Sequence, residues 1–138
     1  MGINKNFNIF ISHAWKKDEE FERVLKFLNA SEHFKYTNFG CPFEDAQEVH
    51  KHTEEELSKT LEDQIVQSQI VIIASGMYSA HSKWIQKEID IAKKFNRPII
   101  VIKPWGNKFT PMAVTNITRE LLDWDTASIL EAIRKNCR

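Results

Sequence analysis

The chain has 138 residues, 42% of them hydrophobic and 28% charged, an ordinary globular composition with enough chain for one core, so a single domain over 1–138 is expected. Nineteen basic residues balance nineteen acidic ones, which removes the electrostatic case for nucleic acid or an anionic membrane as partner. Two cysteines, Cys41 and Cys137, make no disulfide framework, and no His/Cys cluster has metal-ligand spacing.

The opening MGINKNFNIF has neither the basic nor the long apolar region of a signal peptide, and Asn6 breaks the myristoylation pattern. The longest apolar run, Ile70 to Ala74, is far too short to span a bilayer. A soluble, cytoplasmic domain is the expectation.

In chain order, FNIFI (7–11) is an almost wholly apolar run, as for a strand buried on both faces. A helix over 18–29 follows, with Phe21, Val24, Leu25 and Leu28 at helical spacing and acidic residues in its first turn. Tyr36 to Phe39 reads as a short second strand closed by Gly40 and Pro42. After a polar loop over 42–52, Thr53 and Glu56 form a capping box for a helix whose buried stripe is Leu57, Leu61 and Ile65. IVIIA (70–74) is the clearest strand, ending at Ser75-Gly76, and a helix is expected over 82–95 with Ser82 as N-cap. Arg97-Pro98 stops it before the strand IIVI (99–102). A helical turn and a short edge strand fit 113–122, and a last helix 125–136. Short apolar strands alternating with amphipathic helices imply a three-layer, flavodoxin-like α/β sandwich with a central, mainly parallel sheet. Ligands in such folds bind beyond the carboxyl ends of the strands, which singles out SHAWKKD (12–18), NFGCPFED (38–45), SGMYSAHS (75–82) and KPWGNKF (103–109).

One residue of the 82–95 helix is out of place. At about 100° per residue, Trp84, Ile91 and Phe95 fall on one line, widened by Ile85, Ile89 and Ala92 into an apolar arc. Glu88 lies inside that arc. From spacing alone, it is either a catalytic carboxylate or a structural one that caps a loop amide or pairs with a lysine.

The common chemistries of the fold are missing. Ser12-His13 and Ser75-Gly76 stand where a response-regulator receiver would carry its acidic residues, so Lys103-Pro104 has no phosphoacceptor to serve. SHAWKKD is no flavin phosphate loop, and neither GK[ST] nor G-x-G-x-x-G occurs. Adjacent residues on an extended chain point apart, so Ser12-His13 is not a triad fragment.

FISHAWKKDEEF (10–21), SGMYSAHSKWIQKEIDIAKKFNRPIIVIKPWG (75–106) and LDWDTASILEAIRK (122–135) together resemble the TIR domains, and more closely the TIR-like domains of bacterial Thoeris antiphage defence. TIR domains that act on NAD+ carry their catalytic glutamate in a Ser-x-Trp-x-x-x-Glu helix, and the matching residue is Glu88. The resemblance implies NAD+ as substrate, no further cofactor, and cleavage at the nicotinamide–ribose bond. It also implies a cyclic ADP-ribose-type messenger read by a downstream effector. It places Ser12, His13 and Trp15 after the first strand, where ligand approaches, although Trp15 is equally a lid on the core. It further places Asn38 and Phe39 in the loop that shapes the pocket, and Met77, Ser82 and Trp84 around the helix that carries Glu88. Trp84 also packs as core on this reading, His13 is equally a loop brace, and no metal is implied. The alternative is a non-catalytic TIR-like interaction module that works by self-association.

Overall fold

The computed structural model describes residues 6–13, 19–40, 49–106, 115–118 and 120–137. Five strands, β1 (Asn6–Ile11), β2 (Lys35–Asn38), β3 (Ile70–Ala74), β4 (Ile99–Ile102) and β5 (Glu120–Leu122), form one sheet in the order β2-β1-β3-β4-β5. All four pairings are parallel, with Ile9 opposite both Asn38 and Ile70 and Val71 opposite Ile99. The four helices among the described residues are α1 (Glu19–Asn29), α2 (Glu54–Val66), α3 (Tyr78–Lys94) and α4 (Thr126–Asn136). α1 packs beside α4 and α2 beside α3, so the sheet is covered by two pairs of helices. Every residue of β3 and β4 is buried, the signature of parallel strands enclosed on both faces. The flavodoxin-like α/β expectation holds.

Local chemistry sets the element ends. Thr53 accepts from the Glu56 amide while the Glu56 carboxylate accepts from the Thr53 amide, the complete capping box of α2. Asp125 caps α4 through Ser128. α3 departs from expectation at its start. A 3-10 turn, Ser75–Met77, runs into the helix at Tyr78, and the helical path breaks once, at His81 (φ −131°, ψ 29°). Ser82 is therefore not the N-cap; it is already helical, just past the break, and exposed. The apolar periodicity begins only beyond His81, which is why it starts the helix late.

The other end of α3 is closed by Asn96 rather than by Pro98. Asn96 adopts φ 57°, its amide donates to Lys93 O, and the Arg97 amide reaches back to Ala92 O at 2.8 Å. This is the Schellman arrangement with asparagine in the left-handed position. Arg97 then donates to Phe95 O and to Val66 O (2.9 and 2.7 Å), tying the ends of α2 and α3 together. A β-branched residue fits the left-handed region poorly, so Asn96→Ile should destabilise the protein by roughly 1–2 kcal/mol and Asn96→Gly should not. Urea denaturation midpoints of the two variants check this.

Candidate functional site

The carboxyl ends of β1, β2 and β3 converge on one place. The Ser12 amide donates to Ile72 O at 2.9 Å, extending the β1–β3 ladder by one residue, and the Phe39 amide donates to Ile9 O at 2.8 Å, extending β1–β2. Ser12 is thus fixed by its backbone before its side chain acts. Its hydroxyl donates to Glu88 Oε1 at 2.5 Å, a short hydrogen bond. Glu88 has no exposed surface and Ser12 almost none. The carboxylate that looked misplaced on α3 therefore lies inside the protein, held at the tip of the central strands. Its helix neighbours Ile85, Ile89 and Ala92 are also fully enclosed, which supplies the dry surroundings.

Asn38 and Gly40 brace this corner. Asn38 Oδ1 accepts from the Ile11 amide (3.2 Å) and the Gly40 amide (2.9 Å), while its Nδ2 donates to Gly40 O (3.2 Å). The polar atoms expected to meet a ligand are spent on backbone. A Cβ on Gly40 would collide with Ile11 O, so only glycine lets the chain pass this close to the end of β1. Phe39 is half-buried.

His13 is enclosed in the core. Its ring lies 5.5 Å from that of Phe10 and 6.4 Å edge-on from Phe21, with Nε2 at 3.4 Å from Gln64 Oε1. Burial pushes the imidazole down to about 4, against a smaller upward pull from the Gln64 contact. Met77 is likewise buried in the core cluster. Ser75, which the sequence did not single out by itself, donates to Ile102 O at 2.8 Å and ties the end of β3 to β4.

Trp84 is partly buried against the core, with the Lys83 and Lys87 ammonium groups each 5.6 Å from its ring. Both lysines also reach Glu54, at 2.8 and 3.4 Å. Lys103 pairs with Asp123 at 3.0 Å rather than standing ready for a phosphate. Trp105 meets Phe27 and Trp124 edge-on, under the Arg23 guanidinium 4.2 Å from its ring centre. Arg23 is itself bonded to Glu19 and Glu20. The cations at these positions are thus already in ion pairs, and an anionic ligand would compete with carboxylates for them. Trp15, Cys41, Pro42 and Asp45 lie outside the described residues.

The structure therefore brings Ser12 and Glu88 into direct contact, sets Asn38 and Gly40 behind Ser12, and commits His13 and Met77 to the core. Ser12 and Glu88 are 76 positions apart, so no local pattern announces their bond. The bracing role of Asn38 had a weak signal in the Asn-Phe-Gly turn, since asparagine side chains often bond backbone two residues on.

A parallel sheet in the order 2-1-3-4-5, flanked by helices, is a flavodoxin-like α/β domain, here with a buried acidic residue held at the carboxyl end of β1. The family model described as the TIR-like domain of Thoeris protein ThsB matches residues 10–109. The chain belongs to that family. No curated protein matches it. Among the described residues, no helix is long and apolar enough to cross a membrane.

His13 carries a prediction. The unfolded chain takes up a proton on this imidazole below pH 6.5 and the folded chain only below about 4. Its contribution is therefore intact above pH 6.5 and lost progressively as pH falls from 6.5 towards 4, by about 3 kcal/mol in all. Denaturation curves across that window should show the loss, and His13→Gln should flatten it.

Proposed function

We propose that the protein is an NAD+-processing enzyme of Thoeris antiphage defence signalling, with Glu88 as its catalytic carboxylate. The observation that carries this reading is the placement of Glu88: the acidic residue of the Ser-x-Trp-x-x-x-Glu pattern is held by Ser12 at the carboxyl end of β1, where ligands of this fold class bind. Membership of the Thoeris ThsB family supports the defence role.

The chemistry suits a lone carboxylate. Breaking the bond from ribose C1′ to the nicotinamide nitrogen sends the electron pair to nicotinamide, which leaves neutral from a cationic parent, so no general acid is needed. Positive charge develops on the ribose, as in glycoside chemistry. A fixed carboxylate in dry surroundings stabilises that charge and accepts hydrogen bonds from the ribose hydroxyls. Attack on C1′ by a nucleophile of the same molecule, with loss of its proton to water, would give a cyclic ADP-ribose-type messenger for a downstream effector. Glu88 has no exposed surface, so on this reading the residues around it must part before NAD+ reaches the carboxylate.

The same sealing supports a second reading, a non-catalytic interaction module in which Ser12 and Glu88 are a buried structural pair. The two readings part on one assay. Concentrated protein is incubated with NAD+, alone and in lysate of phage-infected cells, and the products are separated by mass spectrometry. Nicotinamide release that falls by at least about 100-fold in Glu88→Gln supports the enzyme. The amide introduced by that substitution retains an acceptor oxygen for Ser12, so the variant should keep nearly the wild-type unfolding midpoint. No release by wild type under either condition favours the module.

A further inference from the structure

We infer that Ser12 and Asn38 are positioning residues for Glu88, acting in series rather than as substrate contacts. The inference rests on the reading of Glu88 as the reacting carboxylate, but its physical basis is a continuous chain of bonds. Asn38 Oδ1 receives the amides of Ile11 and Gly40. Gly40 passes so close to Ile11 O that no side chain fits between. The end of β1 is thereby clamped from the β2 side, while Ile72 O holds the Ser12 amide from the β3 side. The Ser12 backbone is thereby held in place, and its hydroxyl donates to Glu88 Oε1.

Two consequences follow from that geometry. Ser12, the residue after β1, helps to set the carboxylate's orientation, since a glutamate side chain has three rotatable bonds and the helix backbone restricts chiefly the first. And the turn after β2, through Asn38, acts on the carboxylate by way of Ser12. A reacting group needs such support, because a misplacement of about 1 Å can cost two orders of magnitude in rate.

The test uses the full chain with Ser12→Ala, Ser12→Thr, Asn38→Ala, Asn38→Asp and Glu88→Gln. Asn38→Asp keeps the oxygen that accepts from Ile11 and Gly40, and it guards against a fold failure of Asn38→Ala. In NAD+ cleavage, Ser12→Ala should lower kcat by roughly 10- to 100-fold with KM little changed. Ser12→Thr, which restores a hydroxyl, should recover most of the loss. Asn38→Asp should stay nearer wild type than Asn38→Ala. A rise in KM with kcat intact would make Ser12 a substrate contact and overturn the inference. So would a rise in kcat, or unchanged kinetics in a variant that is merely less stable.

A second readout needs no turnover. Double-mutant cycles on the unfolding equilibrium, built with Glu88→Leu so that no acceptor remains for Ser12, should show Ser12 coupled to Glu88 by roughly tenfold. Asn38 should couple to Glu88 as well, and that coupling should vanish when Ser12 is alanine, because it passes through the serine. Additive effects would overturn the inference while leaving Glu88 free to be catalytic. Coupling without any NAD+ cleavage would uphold the positioning and sink the enzymatic reading instead.

Discussion

The hydrogen bond between Ser12 and Glu88 is the constraint around which the top of this molecule is arranged. A carboxylate taken wholly out of water costs several kcal/mol unless it is compensated, and a hydrogen bond to a charged group returns about 1.5–3 kcal/mol of that. Such compensation works only if the donor is already in place, because a donor that must itself be ordered loses part of the gain as entropy. Ser12 meets the requirement through its backbone, gripped between two neighbouring strands. The parallel sheet thus does more than supply a core: β1, next to the central strand, is followed by a polar residue one step past its last buried isoleucine, where α3 can meet it.

Much of this architecture is legible in the amino-acid order, for reasons that differ by element. β3 and β4 are read to the residue because strands enclosed on both faces are unbroken apolar runs bounded by polar residues. The start of α2 is equally plain, since its capping box is a local contact four residues long. Glu88 stands out because helical phase alone puts it among apolar neighbours. What the sequence hides is of another kind. The partner of Glu88 is 76 positions away; the enclosure of His13 depends on Phe21 of α1 and Gln64 of α2; and the first turn of α3 is fed by a 3-10 turn whose serine and glycine read as a stop. Each is a matter of tertiary contact or backbone continuity, neither of which has a period.

Electrostatics adds a further restriction. With equal numbers of acidic and basic residues, the molecule as a whole does not draw an anionic dinucleotide towards itself. Arg23, Lys83, Lys87 and Lys103 all have carboxylate partners. Among the described residues, an anionic ligand at these cations would have to compete with the carboxylates that already hold them.

The break at His81 divides α3 mechanically. An unbroken helix is a stiff rod, so a push at its first turn would swing everything it carries. Here the rod ends at His81, and the turn from Tyr78 to Ala80 belongs with the end of β3 while the remainder belongs with α2 and the Schellman stop at Asn96. The length of helix bearing Glu88 is thus anchored at its far end, where Arg97 fastens it to α2, and is set off by the His81 break from the turn nearest the strand tips.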